Sequence, residues 1–92
     1  MSNTVTVEIR NFAFHPARAE INPGDKVIWR NHDHMGHSAL RQREPLFDTG
    51  VLLSGESSLP ITFDAESDNE GFEYFCEPHP QMKGTVVSKS DK

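Results

Sequence analysis

The stretch "FCEPHPQMKG", Phe75 to Gly84, carries three side chains that can bind a metal, Cys76, His79 and Met82, at a spacing of three residues. Cys76 is the only cysteine of the chain, and a proline on each side of His79 stiffens the segment. A thiolate, an imidazole and a thioether together favour copper over magnesium, calcium or manganese. Taken alone, the stretch is equally compatible with an ordinary core, in which Cys76 and Met82 pack as apolar side chains.

The metal interpretation requires one more ligand from elsewhere in the chain. Two histidines and a cysteine with a weak axial methionine are typical of a blue-copper electron-transfer site. Cys76 shares its strand face with Phe72 and Tyr74, which predicts a thiol at the end of a buried strand. A buried thiolate needs a positive partner, and a metal ion is one that also removes the thiol proton.

Length, charge and cysteine count exclude several classes of protein. A chain of 92 residues predicts a single domain spanning 1–92. One cysteine excludes an internal disulfide, haem attachment and every multi-cysteine zinc site. The net charge of −5, without a long Lys/Arg run, argues against nucleic acid or an anionic membrane and favours a protein partner with a basic face. No apolar run is long enough for a membrane span, and "MSNTVTVEIR" lacks the pattern of a signal peptide.

The rest of the chain predicts short strands separated by turns. "TVTVEI" alternates apolar and polar residues, "KVIWRN" follows the turn "NPGD", and "LPITFD", "GFEYFC" and "GTVVSK" complete the set. No segment has a sustained helical period. This pattern is typical of an all-β sandwich or barrel. The long middle stretch from Asn31 to Ser58 lacks clean alternation, and we expect loops with an irregular strand or two there.

Three segments resemble the cupredoxins, the type 1 blue copper proteins. They are "PGDKVIWRNHDHMGHSA", "FDTGVL" and "GFEYFCEPHPQMKGTVVS", and the likeness runs from about Phe14 to Val87. Within that family, the chain is most similar to amicyanins, plastocyanins and pseudoazurins, and the short Cys-x2-His-x2-Met loop points to amicyanins. The resemblance implies a cupredoxin-like Greek-key β-sandwich of about eight strands.

The same resemblance implies one type 1 copper, cycling between Cu(I) and Cu(II), with His37, Cys76, His79 and Met82 as its ligands. His37 is the eighth residue after Trp29. The implied function is one-electron transfer between redox proteins, with no enzymatic activity. We expect a monomer whose partner is a c-type cytochrome or a dehydrogenase with a basic docking face. We expect the periplasm, reached by a mature form without its signal peptide, over the cytoplasm.

Three positions next to the implied ligands carry further expectations. Asn31 matches the family asparagine whose amide steadies the two ligand loops. Gly36 stands where these relatives often have proline, so we expect a looser loop before His37. Glu77 stands where amicyanins have a small hydroxyl residue, so a hydrogen bond from Asn31 would have to go to the backbone there or be missing.

The remaining histidines and a pair of arginines are interpreted as surface residues, with a second metal site as the alternative for two of the histidines. His32 and His34 alternate around an aspartate and, with a third histidine, could bind a second Cu(II) or Zn(II), but they also fit a solvated polar loop. His15 is interpreted as a surface loop residue. Arg41 and Arg43 are interpreted as a solvated pair.

Other functional classes fit the sequence less well. An immunoglobulin-like sandwich would need a second cysteine to pair with Cys76. A cysteine hydrolase needs an orienting partner for its histidine, and no such signature accompanies His79. A copper oxidase or reductase needs a second catalytic centre. The alternative that stays open is a copper-handling protein, a chaperone, store or sensor, that uses the same ligands.

Overall fold

Nine β-strands make up the regular structure of residues 2–90, which are the part of the chain that the computed structural model describes. They are β1 (Thr4–Arg10), β2 (Ala13–His15), β3 (Arg18–Ile21), β4 (Asp25–Asn31), β5 (Leu40–Arg41), β6 (Phe47–Asp48), β7 (Ile61–Phe63), β8 (Phe72–Phe75) and β9 (Lys83–Ser88). One sheet has the order β2-β1-β4-β7 and the other β3-β9-β8-β5-β6. The all-β sandwich is confirmed, with two very short strands, β5 and β6, in the irregular middle stretch.

The alternation seen in the sequence sets which residues face the core. Val7 and Ile9 of β1 and Val27 and Trp29 of β4 are all fully buried. The two strands lie side by side in parallel, with Val7 opposite Trp29. Because side chains alternate along a strand, this register brings two apolar rows onto the same face of the sheet.

Aromatic side chains from both sheets meet in the core. Trp29 stacks on Phe47 at a centroid distance of 5.2 Å and meets Tyr74 edge-on at 5.3 Å. Tyr74 is also edge-on to Phe14 at 4.8 Å. Burial raises the pKa of Tyr74 well above its usual range. These contacts hold β4 and β8 together, and the metal-binding candidates lie in the segments that follow those two strands.

Arg41 corrects one expectation, because it is not solvated. Its side chain is buried, donates to the carbonyl oxygens of Glu73 at 2.8 Å and Glu44 at 3.0 Å, and places its guanidinium 5.1 Å from the ring centroid of Phe72. Burial lowers the pKa of this guanidinium below its usual value. Arg43 is exposed, as predicted. The two arginines differ because Arg41 is the last residue of β5, whereas Arg43 lies beyond the strand in an exposed bend.

The segment before His37 is tied down more firmly than its glycine suggested. His37 and Leu52 exchange two backbone hydrogen bonds, of 3.2 and 2.7 Å. A Cβ atom on Gly36 would lie only 2.8 Å from Cγ1 of Val51, so the chain passes close to its neighbour there. Gly36 therefore lies where two segments cross at close range. The segment before His37 is closely packed, in contrast to the looser loop expected from its glycine.

Among residues 2–90 no helix is long and apolar enough to span a membrane.

Candidate metal centre

A tight turn between β8 and β9 carries Cys76, His79 and Met82. Strand β8 ends at Phe75 and β9 begins at Lys83. The N–H of Cys76 donates to the carbonyl of Met82 at 3.0 Å, and the N–H of Met82 donates to the carbonyl of His79 at 2.9 Å. These bonds close the turn, so the backbones of Cys76, His79 and Met82 lie close together.

His37 reaches the same place from the other sheet. Strand β4 ends at Asn31, and the chain then turns through a short loop to the bridge between His37 and Leu52. His37 and Cys76 are both fully buried. A histidine and a thiol 39 positions apart in the chain therefore meet at one end of the sandwich.

Three donor atoms converge at this point. Nδ1 of His37 lies 3.6 Å from Sγ of Cys76, and Nδ1 of His79 lies 3.8 Å from the same sulfur. Their ligand atoms all lie within 4.8 Å of one another. One ion can bridge each nitrogen–sulfur pair, because metal–nitrogen and metal–sulfur bonds of roughly 2.0 and 2.3 Å together exceed these separations.

The surroundings of the donors suit a thiolate-bound copper. His79 is half-buried, and its ring centroid is 4.9 Å from that of His37. Met82, the fourth residue of the expected set, is 4% exposed and belongs to the same core cluster as Cys76. A mostly buried site that offers one thiol and two imidazoles, with a buried thioether in the same turn, fits a soft, redox-active metal better than a hard cation.

Ser38, which the sequence did not single out, joins the two ligand segments. Its backbone N–H lies 3.4 Å from Sγ of Cys76, and its hydroxyl accepts a 3.0 Å hydrogen bond from the N–H of Glu77.

The family resemblance implies that Asn31 steadies both segments. Its amide instead donates to the carbonyls of Met35 and Leu52, both at 2.8 Å, so its contacts secure only the His37 side.

Two further residues that sequence reasoning missed surround the histidines. Nε2 of His37 lies 2.9 Å from a carboxylate oxygen of Asp33. The ring of Phe12 meets the rings of His37 and His79 edge-on, each at a centroid distance of 5.0 Å. Burial acts to raise the pKa of Asp33, but the hydrogen bonds from the backbone of Phe12 and Asn11 and from His37 outweigh it and hold that pKa below its usual value. In the sequence, Asp33 is visible only as the residue between two histidines.

The other histidines stay apart from this centre. His32 pairs with Glu8, while His34 is exposed. Within residues 2–90, the one group of three or more potential metal ligands is His37, Cys76 and His79, so the second site considered for His32 and His34 does not form with a third ligand. His15 is exposed, as expected, but it is the last residue of β2 and does not lie in a loop.

Comparison with known proteins points to the same chemistry. Residues 1–89 match the family described as copper binding proteins, plastocyanin/azurin family. The chain is 28% identical over 90 residues to amicyanin of Paracoccus versutus, a match that covers 94% of this chain. The chain spans 65% of the length of that relative, less than two thirds.

Solved structures show how widely this fold is shared. A reduced Cu(I) form of an amicyanin variant superposes with a TM-score of 0.84 at 24% identity, covering 94% of this chain and 82% of the other. A copper-containing nitrite reductase from Thermus scotoductus superposes with a TM-score of 0.83 at 29% identity, covering 97% of this chain but 23% of the reductase.

Proposed function

Since the chain belongs to the plastocyanin/azurin family of copper-binding proteins, we propose that it carries single electrons between redox proteins through one type 1 copper. The proposed ligands are His37, Cys76 and His79, with Met82 as the weak axial ligand. When bound, the copper supplies the redox chemistry by alternating between Cu(I) and Cu(II). The protein holds the donor atoms in one arrangement for both states.

The observation that carries this proposal is the meeting of two imidazole nitrogens at one buried sulfur. Sγ of Cys76 has the Nδ1 atoms of His37 and His79 at 3.6 and 3.8 Å, although His37 comes from a distant part of the chain. A fully buried thiol in an aromatic core would be inert without a metal. Two imidazole nitrogens aimed at it are the arrangement that a copper–thiolate bond requires.

Burial supports electron transfer over copper delivery. Cys76 and His37 have no exposed surface, so a copper ion held by them is hard to hand to another protein. Cys76 accepts a hydrogen bond from the N–H of Ser38, and Nε2 of His37 contacts the Asp33 carboxylate, so both proposed ligands are further restricted. A restricted site reorganises little when the charge of its metal changes, which suits rapid transfer and makes release slow.

The surface around His79 is the proposed docking face. Pro78 and Pro80 on either side of it are exposed, and Phe12 is 46% exposed while touching both histidine rings. Because His79 is half-buried while His37 and Cys76 are fully buried, a partner docked on this apolar rim would come nearest to the copper. The net charge of −5 favours a partner with a basic face, such as a c-type cytochrome or dehydrogenase, whose association slows as salt rises. We place the protein in the periplasm as a monomer that performs no substrate chemistry.

The direct test loads the protein with Cu(II) and compares it with Cys76→Ser. We expect the parent protein to be intensely blue and to cycle reversibly by one electron. The serine variant should stay folded with a pale, weakly held copper, because the thiolate is responsible for the strong bond and the colour. His15→Ala, at an exposed histidine, is the matched control and should stay blue. An intense blue colour in Cys76→Ser, or a colourless parent, would reject the proposed site.

A further inference from the structure

Asp33 connects His37 to the turn between β1 and β2. One carboxylate oxygen accepts the N–H of Asn11 at 2.8 Å, and the other accepts the N–H of Phe12 at 2.9 Å. The second oxygen also lies 2.9 Å from Nε2 of His37. The N–H of Asp33 itself donates to the side-chain oxygen of Asn31 at 2.9 Å. One side chain, 14% exposed, thus holds both a backbone turn and an imidazole.

The turn that Asp33 holds has an unusual backbone. Asn11 and Phe12 are the two residues between the paired ends Arg10 and Ala13, and both have positive φ angles, of 52° and 57°. A two-residue hairpin turn of this kind favours Asn and Gly, and a phenylalanine there is unfavourable. The two hydrogen bonds that the N–H groups of Asn11 and Phe12 donate to the Asp33 carboxylate offset that cost.

The strained turn has a consequence for the metal centre. It directs the ring of Phe12 across the rings of His37 and His79, with both centroids 5.0 Å away. The phenylalanine therefore covers part of both imidazoles. A change at Asp33 would reach the site by two routes, through His37 directly and through the position of this ring.

The contact with His37 also decides which imidazole nitrogen carries the proton. An ionised carboxylate can only accept, so Nε2 of His37 must donate to Asp33. In the neutral imidazole, Nδ1 is then the nitrogen without a proton, and it lies 3.6 Å from Sγ of Cys76. A carboxylate that accepts the N–H of a metal-bound imidazole fixes the orientation of the ring and makes it a stronger donor.

We propose that Asp33 is a positioning residue for the metal centre, which holds His37 in the tautomer that binds copper and, through the same carboxylate, sets Phe12 across the two histidines. The proposal rests on the proposed ligand set for its copper-related consequences. The orientation of His37 and Phe12, by contrast, is a property of the metal-free protein. The proposed role of Asp33 in that orientation can therefore be tested even if the proposed copper function is wrong.

The test starts with the metal-free protein and the nitrogen NMR spectrum of its histidine rings. In the parent protein, we expect His37 to show one tautomer, with a slowly exchanging proton on Nε2. His37 protonated on Nδ1, or exchanging between two tautomers, would overturn the proposal without any variant. Because this measurement needs no copper, it stands even if the proposed electron-transfer function is wrong.

The variant Asp33→Asn then tests how the carboxylate affects the His37 tautomer, the Cu(II) affinity and the reduction potential. An amide offers one acceptor oxygen where the carboxylate offers two, so Asn cannot keep all three bonds. We expect a mixture of His37 tautomers, altered amide signals for Asn11 and Phe12, and Cu(II) affinity lower by roughly 10- to 100-fold. The reduction potential should rise, because a negative charge near the site favours Cu(II) and is lost in the variant.

Asp68→Asn is the matched control. The Asp68 carboxylate also accepts two neighbouring backbone N–H groups, those of Glu70 and Gly71 at 3.1 and 3.0 Å, in an exposed turn. The Asp68→Asn variant should leave the His37 tautomer, the copper affinity and the reduction potential unchanged. Asp33→Glu keeps the charge and should restore the Nε2 tautomer at least in part. If Asp33→Asn matches Asp68→Asn in all three measurements, Asp33 only caps a turn and the proposal is wrong.

Discussion

Ser38 and Cys76 are joined across the two ligand segments by a backbone N–H that lies 3.4 Å from the cysteine sulfur. The hydroxyl of Ser38 continues the link, because it accepts the N–H of Glu77 at 3.0 Å. Ser38 is 1% exposed, so its own side of both bonds is shielded from solvent. The segment after β4 and the turn after β8 are thus held together independently of any metal.

Removing only the hydroxyl tests this link. Ser38→Ala deletes the bond from Glu77 but keeps the backbone N–H that faces Cys76. We expect the free energy of unfolding of the metal-free protein to fall by about 1 kcal/mol, measured by urea denaturation. The blue absorption of the copper form should persist. Ser57→Ala, at an exposed serine, is the control, and an equal effect in the two variants would contradict the proposed link.

Met82 should tune the reduction potential without deciding whether copper binds. Met82→Leu removes a sulfur donor that helps offset the positive charge of Cu(II), so Cu(I) gains and the potential should rise. Leucine nearly conserves the buried volume, so the loss of stability should stay below about 1.5 kcal/mol. Voltammetry of both proteins measures the shift. A fixed or lower potential in the variant would argue against an axial Met82.

Arg41 should stabilise the fold through its buried guanidinium. Arg41→Met leaves the carbonyls of Glu73 and Glu44 without this donor and removes the charge over Phe72. Since hydrogen bonds to charged groups contribute about 1.5–3 kcal/mol each and methionine recovers some apolar burial, we expect a net loss of about 2 kcal/mol in urea denaturation.

The neighbouring arginine provides the control for that experiment. Arg43→Met changes the same charge at an exposed position and should alter the free energy of unfolding by less than about 0.5 kcal/mol. Similar losses in Arg41→Met and Arg43→Met would mean that the buried contacts of Arg41 contribute nothing specific.

Asp25 should make the stability of the protein fall in acid. Hydrogen bonds from the backbone N–H groups of Asn3, at 2.9 Å, and Asn22, at 3.0 Å, hold the pKa of Asp25 below its usual value. Because the folded state favours the ionised carboxylate, this stabilisation is complete above the ordinary pKa of about 3.9 and is lost as pH falls through the lowered value.

Denaturation of the metal-free protein at a series of pH values tests the effect. Asp25→Asn should be less stable than the parent at neutral pH, and the difference should shrink as the pH falls below about 4. Asp64→Asn, at an exposed carboxyl group, is the control. A difference between Asp25→Asn and the parent that does not change with pH would contradict the role assigned to the ionised carboxylate.

Local patterns in the sequence determined the class of fold and pointed to three of the four proposed metal ligands. Alternating residues in β1 and β4 predicted which side chains are buried, because a strand turns successive side chains to opposite faces. Cys76, His79 and Met82 could be recognised together, since a seven-residue turn between two strands keeps them close whatever the rest of the chain does. The pairing of β1 with β4 in parallel has no such local signal.

The tertiary structure decided what surrounds the proposed ligands. His37 could be proposed only from a family resemblance, because the sheets must pack before it meets Cys76 from 39 positions away. Ser38, Phe12 and Asp33 have ordinary sequence contexts, and their contacts run between loops that only the packed sandwich brings together. The physical reason is that a periodic pattern records which face of a strand is apolar, whereas a hydrogen bond between distant loops depends on the position and direction of both partners.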